Sequence, residues 1–77
     1  MTFSAIKTLV QSGWVGIISF SDLEAGKTTL NERIAHYQQQ PKPLMDYQAK
    51  ELDLFIRILS DVQLELDARN PFLQSWH

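Results

Sequence analysis

The sequence predicts an all-α fold, a short N-terminal helix followed by an antiparallel helical hairpin whose C-terminal arm is long. Three observations carry that expectation. Leu52, Phe55, Leu59, Val62 and Leu66 alternate spacings of three and four, which on a 3.6-residue helix makes one apolar seam. No Gly or Pro interrupts the chain from Asp46 to Ala68. Pro41 and Pro43 stand just ahead of that stretch, where they stop one helix and stiffen a short connector to the next.

The first helix begins at Thr2 or Ser4, whose hydroxyls suit an N-cap, and places Phe3, Ile6 and Val10 on one face with Lys7 and Gln11 on the other. Gly13 should end it. The next block, Trp14 to Phe20, is rich in β-branched and aromatic residues and reads as a short buried strand at 14–20, the main competitor to a purely helical chain. A helix running on is the other reading, because Phe3, Ile6, Val10, Gly13, Ile17 and Phe20 keep the three-four spacing. Gly13 and Gly16 weigh against it, at about 1 kcal/mol each relative to Ala.

Two start signals for the second helix overlap, Ser21 with Glu24 and Thr29 with Glu32, each a hydroxyl residue followed three positions on by Glu. Gly26 interrupts the first. The spacing therefore predicts a helix from about Thr29 to Gln40, with Leu30, Ile34 and Tyr37 on one face. The third helix is predicted over Asp46 to Ala68, opening on an acidic cap. Asp53 with Arg57, Arg57 with Asp61 and Glu65 with Arg69 are i, i+4 pairs, the pattern of a solvated face worth a few tenths of a kcal/mol per pair. Asn70 and Pro71 close it, and residues 70–77, with Phe72, Leu73 and Trp76, read as a flexible or docking tail or as a lid that finishes the core.

Seventy-seven residues allow a single domain spanning 1–77, and a chain of that size buries only about 60 per cent of the surface it exposes when unfolded. Such a core is thin. With no cysteine for a disulfide or a thiolate metal site, association is the remaining source of stability, and a homodimer built on the third helix is expected. Seven Lys and Arg against nine Asp and Glu give a net charge of −2 without any block of like charge. That argues against nucleic acid, which demands a basic stripe; a dimer that concentrates the few cations is the weakest alternative, and steep salt dependence would mark it. Lys7 precedes the apolar run from Trp14 to Phe20, but Ser19, Ser21 and Asp22 end that run too soon for a membrane span, and no small-residue cleavage site follows it. A cytoplasmic, soluble protein is the expectation.

The segment from Ser21 to Thr28 imitates part of a phosphate-binding loop, with Gly26, Lys27 and Thr28 in the order of its closing residues. Its head is missing. Ser21 stands where the first glycine belongs, and Asp22 and Glu24 would repel the anion, so a small nucleotide-binding protein ranks second as a functional reading. His36 has no His or Glu at i+4 to share a metal, and Asp61 and Glu65 already have arginines in register. No catalytic, cofactor or metal residues are assigned.

Apolar residues on the supposedly wet side of the third helix are more telling. Leu54 and Leu64 point away from the seam, and Ile56 and Ile58 widen it on both sides. Leu54, Ile58 and Leu64, with Phe72 and Trp76 of the tail, are the candidate partner-binding residues. The chain is accordingly expected to be a non-enzymatic adaptor, inhibitor or accessory subunit, which lays apolar helix surface against another protein while flanking charge selects the partner.

Overall fold

The computed structural model describes residues 1–41 and 43–69, which form three α-helices and one 3₁₀ turn and no strand. Helix α1 covers Phe3–Gln11, α2 covers Phe20–Gln38 and α3 covers Asp46–Ala68, with a 3₁₀ turn at Val15–Ile17 between the first two. The all-α hairpin with a long C-terminal arm is thus the architecture adopted.

Helix α1 starts where Thr2 Oγ1 accepts the Ala5 N–H at 3.2 Å. Its end is fixed by Gly13, whose φ of 82° lies in the left-handed region that only glycine enters without strain. That geometry lets the Trp14 N–H reach the Leu9 carbonyl at 2.8 Å and the Gly13 N–H reach Val10 at 3.1 Å, the paired bonds of a Schellman ending. The chain then makes a single 3₁₀ turn, neither the short strand that stood as an alternative at 14–20 nor a continuation of α1. A strand needs a partner to accept its ladder, and the described chain has none; the backbone bonds locally instead, Ile17 N–H to Trp14 and Ile18 N–H to Val15.

Helix α2 begins nine residues ahead of the predicted Thr29. Ser19 is its N-cap, its Oγ accepting the Asp22 N–H at 3.2 Å and donating to Asp22 Oδ2 at 2.9 Å. Gly26, which by local propensity disfavours a helix, is buried in mid-helix for a packing reason. A Cβ there would stand 3.2 Å from Ile6 Cγ2, so the missing side chain is what lets α1 lie close on α2. That close approach offsets the helix cost of a glycine. At the other end the helix stops at Gln38, just before Pro41, as expected.

Helix α3 occupies its predicted span. Asp46 is its first helical residue rather than its cap, still placed to favour the positive end of the helix dipole, and the preceding Met45 N–H donates to Gln48 Oε1 at 3.0 Å. The two long helices run antiparallel. Tyr37 near the end of α2 meets Glu51 and Phe55 early in α3, whereas Ile18, just before α2, is reached by Arg69 after the end of α3.

One continuous core joins the elements. Helix α1 contributes Ile6 and Val10, the connector between α1 and α2 (residues 12–19) contributes Ile18, and α2 contributes Leu23, Leu30 and Ile34. From α3 come Phe55, Ile58, Val62 and Leu66, with Leu52 and Leu59 of the predicted seam half-buried beside them. Ile58 is 2% exposed. Its assignment to a partner-binding face is therefore corrected: α1 and the connector cover the flank of α3 on which Ile58 lies, and draw it inside.

Candidate docking surface on the third helix

The side of α3 turned from the core carries Ile56, Ser60 and Leu64 at i, i+4 and i+8, which align along one helix face. Leu64 is 65% exposed and Ile56 46%. Two clefts flank the strip and share Leu64. On one side, a cavity of about 380 Å³ runs between α2 and α3, lined by Lys27 and Asn31 from α2 and by Ile56, Leu59, Ser60, Gln63 and Leu64 from α3. On the other, a cavity of about 360 Å³ lies between α1, the connector and α3, with Val10, Gly13 and Val15 facing Asp61, Leu64 and Glu65. Leu64 is thus a ridge with a furrow on either side, the relief into which another helix packs.

Of the residues picked from sequence for partner contact, Leu64 is exposed. Leu54 is half-buried and rests against the core, and Ile58 is inside it. Phe72 and Trp76 lie outside the described residues. Ile56, noted in the sequence for widening the seam, belongs with Leu64.

The connector between α1 and α2, with the first residue of α2, presents a second apolar surface. Trp14, Ile17 and Phe20 are 58, 65 and 57% exposed, although the same segment plunges Ile18 into the core. Arg69 fastens this segment to the end of α3. Its guanidinium donates to the carbonyls of Ile18 at 2.6 Å, Gly16 at 3.0 Å and Val15 at 3.3 Å, while Nε holds Glu65 Oε1 at 2.9 Å. Helical spacing had placed the Glu65 and Arg69 pair on a solvated ladder; their side chains are each only 24% exposed. No sequence pattern signals a guanidinium that gathers carbonyls more than fifty residues away.

A third feature sits toward the opposite end of the hairpin. Arg33 lies over the Phe3 ring at 4.5 Å, and Phe3 meets Phe55 edge-on at 6.1 Å. Tyr37 donates its hydroxyl to Glu51 Oε2 at 2.5 Å and stands 6.3 Å from the Phe55 ring. That hydrogen bond to a carboxylate, with desolvation second, raises the Tyr37 phenol above its ordinary value of 10.0. Glu32, Arg33, His36, Tyr37 and Phe55 line a surface cavity of about 280 Å³, where opposite charges and an exposed imidazole adjoin an aromatic wall. His36 meets Tyr37 edge-on at 6.0 Å.

The segment resembling the end of a phosphate loop has no loop geometry. Gly26, Lys27 and Thr28 lie in the middle of α2, where backbone N–H groups are spent on the helix ladder and cannot wrap an anion, and Thr28 Oγ1 donates to the Glu24 carbonyl at 3.2 Å. Among the described residues no group of three or more His, Cys, Asp or Glu side chains is placed to hold a metal ion, and no helix is long and apolar enough to cross a membrane. Comparison with protein-family models, with curated proteins and with solved structures finds no match to this chain.

Proposed function

We propose that this chain is a non-enzymatic protein–protein interaction module, an adaptor, inhibitor or accessory subunit, whose docking surface is the outer face of α3 and whose first partner is a second copy of itself. The supporting observation is the exposed Leu64 ridge between two clefts, continued by Ser60 and Ile56. An antiparallel copy centred on Ser60 sets Ile56 of each chain against Leu64 of the other. The small serine allows the helices to approach, and the contact is self-complementary, as a two-fold interface must be. A thin core with no cysteine adds the thermodynamic motive, since covering this strip removes apolar surface from water that the monomer leaves wet.

Light-scattering chromatography across a concentration series tests the proposal. The native chain should run as a dimer, and Leu64→Asp should run as a monomer with unchanged far-ultraviolet circular dichroism. A monomer at every concentration would refute self-association, and a dimer that survives Leu64→Asp would move the interface elsewhere.

A further inference from the structure

The outer face of α3 carries a charge pattern that distinguishes one arrangement of two copies from the others. Asp53, Ser60 and Asp67 follow one another at spacings of seven and lie along the middle of that face. Lys50, Arg57 and Leu64, again spaced by seven, run along one side of the line, and Ile56 and Gln63 along the other. The four ionic members are exposed. Ahead of Ser60 stand two cations and one acid, Lys50, Arg57 and Asp53; beyond it stands the acid Asp67, while Asp61 and Glu65 line the cleft against α1 and the connector. The face is therefore net positive at one end and negative at the other. Two of these side chains are already held in place along the helix, since Arg57 bridges Asp53 at 3.1 Å and Gln63 donates to Asp67 at 2.9 Å. A guanidinium has five N–H groups and a carboxylate two oxygens, so neither bond exhausts its members.

We propose that in the antiparallel dimer described above, on which this inference rests, Asp67 of each copy docks beside Lys50, Asp53 and Arg57 of the other, and that these two ionic clusters set the direction and register of the pair. Centring the contact on Ser60 brings Asp67 of one copy level with Asp53 of its partner, each seven residues from the centre. Two carboxylates alone would repel each other there. Arg57 lies one turn inward of Asp53 and Lys50 one turn outward, so two cations meet two acids and the cluster is neutral. A parallel pair centred on the same serine sets each residue against its own copy, Arg57 on Arg57 and Asp67 on Asp67, and leaves like charge facing like. Such rim clusters choose orientation more than they add affinity, which the apolar residues supply. Deleting one of these charges costs little. Reversing it sets like charges together at both ends of the dimer.

Sedimentation equilibrium decides the matter on four full-length chains: native, Leu64→Asp, Arg57→Asp, and Arg57→Asp combined with Asp67→Arg. All three positions are exposed, and circular dichroism checks that the helices persist. Arg57→Asp should raise the dimer Kd by about tenfold for each end, about a hundredfold in all. Adding Asp67→Arg should restore most of that loss, because each cluster is again neutral. Positions 57 and 67 stand about 15 Å apart along one helix, so a restoration is a contact between chains and belongs to the antiparallel register. A monomeric native chain, or a dimer indifferent to Leu64→Asp, would remove the α3 dimer and this inference with it. A native dimer broken by Leu64→Asp yet indifferent to Arg57→Asp would leave the α3 dimer standing and overturn the ionic clusters. A loss that Asp67→Arg fails to restore would overturn the pairing of Arg57 with Asp67.

Discussion

Replacing Arg69 by alanine removes three charge-assisted hydrogen bonds to main-chain carbonyls and one to Glu65, and tests whether that clamp fastens the connector to α3. Hydrogen bonds from a charged donor contribute about 1.5–3 kcal/mol each when buried. Three considerations reduce the sum. The side chain is 24% exposed, ordering an arginine costs about 2 kcal/mol of rotamer freedom, and the Val15 carbonyl keeps its bond from the Ile18 N–H at 3.2 Å. A net loss of about 2 kcal/mol remains, which lowers the melting temperature of a domain this small by roughly 8–16 °C. Urea denaturation followed by circular dichroism gives the free energy, with Arg57→Ala as the internal comparison. Arg57 makes an i, i+4 bridge to Asp53 at 3.1 Å, but the two side chains are 76 and 62% exposed, and its loss should cost only a few tenths of a kcal/mol. Arg69→Lys should fall between them, because one ammonium cannot serve the same set of acceptors in a fork. Equal midpoints for Arg69→Ala and Arg57→Ala would refute the clamp.

Four further outcomes follow from the geometry. Ile58→Asp places a charge in the core and should abolish cooperative unfolding, whereas Leu64→Asp should melt close to the native chain at high dilution; similar melts would contradict the division between core and surface. Gly26→Val crowds Ile6, already 3.2 Å from where a first Cβ would stand, and should destabilise by about 1–3 kcal/mol in thermal melts, while unchanged stability would mean that α1 does not rest on this glycine. Tyr37 holds its proton more tightly in the folded chain than in the unfolded one, so the stability it contributes is present below pH about 10 and is lost as pH rises through the higher folded value. Titration of phenolate absorbance should show that raised value disappear in Glu51→Gln, and an unaltered curve would remove Glu51 as its cause. Calorimetry with millimolar magnesium ATP should give no saturable heat, since Lys27 lies in mid-helix; binding lost on Lys27→Ala would restore the nucleotide reading.

The elements legible in the sequence were those whose signals are local. Helix α3 has an uninterrupted seam, and the ends of α1 and α2 carry Gly13 and Pro41, so their positions follow from conformational preference alone. The start of α2 is not legible locally because Gly26 counts against a helix in any local tally, and its compensation is Ile6, twenty residues away. A better local signal was nonetheless present, in Ser19 followed three positions later by Asp22, a hydroxyl cap with an acid in the first turn. The segment from Trp14 to Phe20 has the composition of a strand but no second strand among the described residues to pair with, and composition cannot supply one. Arg69 was invisible for a related reason: backbone carbonyls leave no mark in the sequence.

Ile56 and Ile58 show most clearly how a tertiary choice becomes a functional one. On the helical wheel of α3 they stand symmetrically on either side of the seam, and nothing local separates them. The symmetry is broken by α1 and the connector, which pack on the flank of Asp61 and Glu65 and bury Ile58. Among the described residues the opposite flank meets α2, through Lys27 and Asn31, and Ile56 stays open. Had α1 landed on the other side, the pair would have exchanged roles. A short helix of nine residues, held close by one glycine on α2, thus decides which apolar residues of the longest helix are core and which remain available for association. If the α3 face self-associates as proposed, substitutions at the contact between Ile6 and Gly26 should change oligomerisation as well as stability, because loosening α1 exposes a second flank of α3 next to Leu64. A Gly26→Val chain that lost stability yet kept a strict native dimer would show that the two flanks are not coupled in this way.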